Sequence, residues 1–309
     1  MSSLLTVTRA IQPYLDDPRV LEIMANPDGT VWIDRAGEGQ SRTATVMAPR
    51  EVEALLRFVA TESGTTLTAA QTSLAGTLPH WGARVQGWMP PTVLAPTFAL
   101  RKPASVVFSL DDYVDKRVIT PAQRDALTRA IVDRKNILVG GGTGTGKTTF
   151  VNALLRVMAE QTADRLYIAE DNRELQCAAP NVVAVYTDRR KYTMRDAIFD
   201  ALRARPDRII VGELRDASAL ELLKAWNTGH PGGTATIHAN DSAGMLTRFC
   251  QLIEEDRKKA DRAIVAEAIH VCVHLTLDRQ APSGRRLSGL HAVHGYDRAQ
   301  RRWLLEPLA

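Results

Sequence analysis

The side chains able to do chemistry are densest at residues 141–149, Gly-Gly-Thr-Gly-Thr-Gly-Lys-Thr-Thr, directly after the apolar run Ile137-Leu138-Val139. Gly141, Gly146, Lys147 and Thr148 satisfy the spacing G-x-x-x-x-G-K-[ST], with a strand-like stretch before and a helix-like one, Phe150 to Leu155, after. Glycine lets consecutive backbone N–H groups turn inward around phosphate oxygens, where a Cβ would obstruct them. The positive end of the following helix faces the same anion. Gly141, Gly142, Thr143, Gly144, Thr145, Gly146, Lys147, Thr148 and Thr149 therefore read as a nucleoside-triphosphate cradle. In that cradle Lys147 reaches the β- and γ-phosphates and the Thr148 hydroxyl ligates Mg²⁺.

Three further clusters follow predicted strand ends. Glu170-Asp171 opens an acidic run after 165–169, and carboxylates there can hold Mg²⁺ directly or through its waters. Glu213 follows 208–212, where a carboxylate beside a phosphate loop is placed to orient the attacking water. His230 and His238 lie eight residues apart in a glycine-rich segment around the strand 234–238. Each has a plainer explanation: an acidic run is ordinarily a solvated face, Glu213 can cap a helix or pair with Arg215, and a lone histidine is ordinarily structural. The strand-end positions favour the chemical readings. The histidines are not metal ligands by spacing, since no third ligand stands close by.

The elements that must position these groups alternate. Strands are expected at 136–140, 165–169, 208–212 and 234–238, separated by helices at 147–160, 194–204 and 215–227, which implies a parallel sheet covered on both faces. Helices at 243–255 and 261–270 and strands at 271–277 and 288–294 complete the segment, and a helix starts at Pro121 with Thr120 as its N-cap. Upstream, residues 22–33 read as two strands around Asn26-Pro27-Asp28-Gly29, and 49–63 as an amphipathic helix. The stretch 78–91 reads as a Pro/Gly-punctuated segment, and the polar stretch 109–120 as a linker.

Composition narrows the function class. With 309 residues, 45% apolar and 24% charged, the chain has the make-up of a globular protein of about two domains. Three widely spaced cysteines without a C-x-x-C pair suggest neither a disulfide frame nor a zinc site, and a reducing compartment is expected. The net charge of +4, with basic spots at 188–191 and 300–302, allows contact with nucleic acid or anionic lipid without arguing for either. No stretch approaches the roughly 18 apolar residues of a spanning helix, and residues 1–9 lack the regions of a signal peptide. Any membrane contact is therefore expected to be peripheral.

Taken together, these segments resemble the secretion-superfamily AAA-like ATPases of type II and type IV secretion, type IV pili and conjugation. Gly141–Thr148 matches the family's Walker A box, 169–175 its acidic box, 209–215 its Gly-Glu-ending Walker B box and Thr228–Asn240 its histidine box. Residues 22–26, 78–79, 82–85 and 100–102 also have family counterparts. The chain lacks the four-cysteine module of the pilus-extension and type II enzymes, and its layout is most similar to the conjugal-transfer branch, with the pilus-retraction branch the near alternative.

The resemblance implies an α/β fold: a RecA-like P-loop ATPase domain over 121–309, preceded by a smaller α+β, PAS-like domain over 1–108. It implies ATP and Mg²⁺ as cofactors, with Glu213, His230, His238 and the first-domain arginines Arg84 and Arg101 as catalytic residues. Thr148, Glu170 and Asp171 would be the metal ligands. It further implies a homohexameric ring at the inner face of the bacterial cytoplasmic membrane, docked on inner-membrane channel components. A RecA-like translocase acting directly on DNA is the rival reading. No aromatic-interleaved basic stripe supports it, so strong nucleic-acid binding is not expected.

Overall fold

The computed structural model describes residues 2–35, 38–103, 107–188 and 191–309. Arg189 and Arg190 of the basic spot lie outside the described residues. The chain forms two compact units, Met1–Ser105 and Val106–Ala309.

The first unit runs α1 (Ser2–Thr8), α2 (Gln12–Asp16), β1 (Val20–Ala25), β2 (Thr30–Arg35), β3 (Gly39–Val46), α3 (Pro49–Glu62), β4 (Ser73–Leu78), β5 (Ala83–Trp88) and β6 (Thr97–Arg101). Its six strands form one antiparallel sheet in the order β3-β2-β1-β6-β5-β4. Alternate residues face one way, as the pleat requires. Ile23, Ala25, Val85, Phe98 and Leu100 pack with Val52, Leu55, Leu56 and Val59 of α3 into a single core. The Pro/Gly-punctuated segment thus holds the turn and second strand of a hairpin, β4–β5, joined across Leu78↔Ala83.

The second unit runs α4 (Leu110–Asp115), α5 (Pro121–Val132), β7 (Ile137–Gly141), α6 (Lys147–Gln161), β8 (Leu166–Glu170), β9 (Val182–Tyr186), α7 (Met194–Ala201), β10 (Arg208–Val211), α8 (Ala219–Asn227), β11 (Thr234–Ile237), α9 (Ser242–Glu254), α10 (Arg262–Ala268), β12 (Val271–Leu277), β13 (Arg285–Asp297) and β14 (Arg302–Pro307). The sheet order is β14-β13-β12-β7-β11-β10-β8-β9. The strands from β12 to β9 are parallel, and β13 and β14 add an antiparallel flap. Strands β7, β8, β10 and β11 are buried along their whole length, as a parallel sheet covered on both faces demands. Leu138, Ala169 and Val211 point to one core, with α7 to α10, while Ile137, Val139 and Ile168 point to the other, with α5 and α6.

The stretch 109–120 is not an open linker. Ser109 caps α4, its hydroxyl accepting from the Asp112 N–H at 3.0 Å while Asp112 accepts from the Ser109 N–H at 2.7 Å. Leu110, Val118 and Ile119 are buried in the second unit's core, and Tyr113 meets Phe150 edge-on at 5.0 Å. Thr120 does cap α5, accepting from the Gln123 N–H at 3.1 Å, with Pro121 at the first helical position.

Candidate active site

In a parallel sheet the loops beyond the carboxyl ends of the strands converge. Here β7 ends at Gly141 and α6 begins at Lys147, with the cradle loop between. Gly146 caps α6 with φ of 92°, and Gly141 sits at φ of 154°, values that disfavour any side chain. A Cβ on Gly141 would also lie 2.4 Å from the Leu275 carbonyl oxygen of β12, so the loop rests directly on that strand. The Thr145 hydroxyl donates to the Gly142 carbonyl at 2.9 Å and closes the turn. Gly142, Thr143 and Gly144 stay exposed, and Thr148 and Thr149 are half-buried in the first turn of α6, whose leading N–H groups lack helical acceptors.

Lys147 is buried, and its ammonium donates to the Gly141 carbonyl at 3.1 Å and the Gly142 carbonyl at 2.9 Å. It also stands 3.4 Å from His238 Nδ1. His238 Nε2 lies 2.9 Å from Glu213 Oε1, and Arg215 donates to the other Glu213 oxygen at 2.5 Å. The second arm of Arg215 reaches Asp171 at 3.5 Å, and Asp171 accepts from the Thr187 hydroxyl at 2.6 Å. One polar chain thus links the cradle, the end of β11, the end of β10 and the end of β8. The Glu213 segment is itself fixed: the Leu214 N–H donates to the Thr236 carbonyl, and the Thr236 hydroxyl to the Gly212 carbonyl.

The charges agree with this geometry. Burial pushes the His238 imidazole down, and the Lys147 charge pushes it further against the opposing pull of Glu213. A neutral ring protonated on Nε2 can donate to Glu213 while Nδ1 accepts from Lys147. Burial alone would raise Glu213, but Arg215, His238 and Lys147 outweigh it and hold the carboxyl below its ordinary range. Glu213 is therefore an anion at neutral pH.

The acidic pair behind β8 divides its work. Glu170 is 3% exposed, and its Oε2 accepts from the N–H groups of Glu174 and Leu175, both at 3.0 Å. Its Oε1 is buried without a hydrogen-bond partner among the described residues, and burial raises the carboxyl to about 7. Glu170 thus spends one oxygen on the backbone of the acidic loop, and its part as a metal ligand rests on the buried Oε1. Asp171 and the Thr148 hydroxyl are hard oxygen donors, which suits Mg²⁺. Among the described residues no three His, Cys, Asp or Glu side chains cluster, which is no obstacle for an ion held by one or two protein oxygens plus substrate phosphates.

The two histidines part company. Thr234, at the start of β11, pairs with Ile137 at the start of β7, whereas Ile237 pairs with Gly140 beside the cradle. About 10 Å of strand separates those ends. His238 follows Ile237 into the site. His230 precedes Thr234, in a loop tied to the far end of the sheet by Arg208 on the Gly232 carbonyl and Asn136 on the Gly233 N–H. The structure does not bring His230 to the P-loop of its own chain.

Arg84 and Arg101 lie in the first unit, opposite each other on β5 and β6, with Glu22 of β1 next in the same row. All three project from the face away from α3. Arg101 stands 3.9 Å from Glu22 and is half exposed.

Some groups escaped sequence reasoning. Asn152 of α6 is buried, donates to the Glu174 carbonyl at 3.1 Å and accepts from the Gln176 N–H at 2.9 Å, tying the acidic loop to the cradle helix. An asparagine inside the apolar run 150–155 was the available signal. Arg285 at the start of β13 lies against the cradle, its Nη1 3.4 Å from where a Cβ on Gly146 would sit, and no spacing in the sequence announced it.

Residues 83–293 match the model of the type II/IV secretion system protein family. The chain belongs to that family. It is 42% identical over 283 residues to the conjugal transfer protein TrbB of Rhizobium radiobacter, covering 91% of this chain and 86% of that one. Its fold is similar to the VirB11 ATPase of the Brucella suis type IV secretion system, solved with sulphate, at a TM-score of 0.50 and 24% identity over 94% of each chain. It is similar also to the pilus retraction motor PilT, solved with ADP, at a TM-score of 0.62 and 19% identity over 88% of this chain and 77% of that one. The α/β fold expected from sequence is the one observed: an antiparallel-sheet unit followed by a mostly parallel-sheet unit of the VirB11 and PilT kind. Within the type II/IV secretion system protein family the chain is a homologue of TrbB. Among the described residues, no helix is long and apolar enough to cross a membrane.

Proposed function

We propose that the protein hydrolyses ATP with Mg²⁺ and turns the cycle into movement that drives conjugative transfer through a type IV secretion channel. The observation that carries this reading is the continuous polar chain Lys147–His238–Glu213–Arg215–Asp171, which puts an anionic carboxylate and a buried ammonium within one side chain of each other. Phosphoryl transfer needs positioning and charge neutralisation more than covalent help. The cradle N–H groups and Lys147 hold the phosphates, the ammonium exchanging its two loop carbonyls for phosphate oxygens. Thr148 and Asp171 hold Mg²⁺, which when bound neutralises charge on the β- and γ-phosphates. Glu213, ionised at neutral pH, orients the attacking water, and neutral His238 keeps that carboxylate at a fixed distance from Lys147.

Arg84 and Arg101 serve as anion-binding arginines of the same reaction. They stand directly opposite each other on neighbouring strands, a spacing at which one oxyanion can accept from both guanidinium groups. The working form is a ring of six copies on the cytoplasmic face of the inner membrane, contacting membrane components of the channel; head-to-tail contacts that close produce such rings. The kinship with TrbB supports the conjugal assignment over pilus retraction.

Phosphate release from ATP by the purified protein, with Mg²⁺ and with excess chelator, tests the chemistry. Turnover only with the metal is expected; no turnover at any protein concentration defeats the reading. Single-stranded DNA in the same assay should change the rate little, and a large sequence-tolerant stimulation would favour a translocase acting on DNA.

A further inference from the structure

His274 of β12 is buried, 6% exposed, and takes no part in the polar chain of the site. Its Nε2 lies 3.1 Å from the carbonyl oxygen of Ala239, the residue after His238. A carbonyl only accepts, so Nε2 carries the proton. Its Nδ1 stands 2.6 Å from the Ser288 hydroxyl on β13, which fixes the ring from the other side.

The route of this bond is unusual. In the sheet β7 lies between β12 and β11, and Gly140 is the register partner of both His274 and Ile237. The His274 ring reaches past the cradle strand to the backbone that follows β11, while Met245 fills the space over Gly140. A second bond ties the same stretch to the flap, Ser242 to His291 Nδ1 at 2.9 Å.

We propose that His274 is a positioning residue for ATP hydrolysis: through Ala239 it holds His238 in line between Lys147 and Glu213. This rests on the reading of Glu213 and His238 given above. The argument is one of reach and polarity. His238 is about half exposed and sits one residue past the end of a four-residue strand, where the sheet ladder no longer fixes the backbone. Its contacts with Lys147 and Glu213 involve side chains that must move when phosphate enters. The Ala239 carbonyl is a backbone anchor one residue away, and its donor comes from β12, the strand on which the cradle loop rests at Leu275. His238 is thereby referenced to the cradle itself. Preorganised geometry of this kind is realised in the transition state more than in substrate binding, so its loss shows in kcat.

The test compares three variants. His274→Gln places an amide nitrogen where Nε2 was and keeps the donor to Ala239; His274→Asn places one where Nδ1 was and does not; His274→Leu keeps bulk alone. The glutamine variant should hold kcat within about twofold, and the asparagine and leucine variants should lose about fivefold or more at little changed KM for ATP. Melting temperatures of the two amide variants should agree. Equal losses in glutamine and asparagine variants, or parental kcat in all three, overturn the inference while leaving the site reading intact if His238→Ala remains impaired. An inactive parent protein overturns both.

Discussion

The two sheets of this molecule present functional groups in different ways. The central strands of the second unit's sheet are parallel and buried on both faces, so they can offer chemistry only at their ends. There the cradle, Glu213, His238 and Asp171 meet in one bonded chain. The first unit's sheet is antiparallel with α3 packed on one face, and it offers a row across the other, Glu22–Arg101–Arg84. Strand ends converge loops that lie far apart in sequence, and each loop carries a local motif. A row across a sheet depends on register between strands, which no local motif records. The first arrangement suits a site that assembles a reaction, and the second a surface that grips an anion.

The largest effects should fall on the strand-end site. Lys147→Ala removes the buried ammonium and should abolish turnover together with most ATP affinity. Glu213→Gln should keep ATP binding and lower kcat by at least about 100-fold, since the carboxylate acts on water. Equilibrium binding of a labelled nucleotide and phosphate release on the same preparations separate the two. A Glu213→Gln protein turning over at the parent rate would move the catalytic carboxylate elsewhere.

The sheet row should matter next. Arg101→Ala and Arg84→Ala should each leave folding intact and lower kcat by at least about tenfold, a floor beneath the range for arginines acting on transition-state charge. As surface ion pairs alone they would contribute about 0–1 kcal/mol to stability and nothing to catalysis. Near-parent rates in both would confine the catalytic machinery to the second unit.

What the sequence disclosed follows the same division. The cradle is legible because its residues are contiguous and their types are dictated by phosphate. The fully buried strands β7, β8, β10 and β11 are legible as apolar runs. Edge strands were not: β3, reading Gly-Gln-Ser-Arg-Thr-Ala-Thr-Val, has almost no apolar face and exists because β2 pairs with it. The outermost β9 and β14 do carry apolar residues, Val-Val-Ala-Val-Tyr and Trp-Leu-Leu, but each is a short run on an edge with no buried residue, which leaves no alternation of buried and exposed positions to read. At 109–120 the polarity of Ser109 and Asp112 suggests a linker, although these two residues form a helix cap. The two histidines share one glycine-rich segment and one expected role, an equivalence that strand direction argues against, since His238 follows the carboxyl end of β11 and His230 precedes its start.

That equivalence can be broken by experiment. His238→Ala should lower kcat several-fold with little change in melting temperature, while His230→Ala should leave kcat within about twofold. His230 Nδ1 is buried without a hydrogen-bond partner among the described residues, so its truncation tests packing. If both variants lost kcat equally at unchanged melting temperature, His230 would be acting on a site other than its own chain's P-loop.

The smallest effect concerns Glu170, where the acidic loop meets β8. A carboxyl whose ordinary value of 4.5 is raised to about 7 binds more protons in the folded chain than in the unfolded one between those values. The unfolded state then binds fewer protons, and stability falls as pH rises. The stabilisation is fully present below about pH 4.5 and is lost as pH rises through about 7. Glu170→Gln keeps an oxygen for the Glu174 and Leu175 N–H groups and removes the titration. Its melting temperature should therefore change less than the parent's between pH 5.5 and pH 8.5, the gap opening by about 2–4 °C on the alkaline side, as roughly 1 kcal/mol does in a domain of this size. The slope is the readout, because the new amide N–H₂ shifts the absolute values by an amount independent of pH. Turnover should survive within a few-fold, since the loop that carries Asp171 is still held. A flat parent profile would mean that the Glu170 carboxyl is already ionised and compensated. A glutamine variant that folds normally and has lost its Mg²⁺-dependent turnover would return Glu170 to the metal.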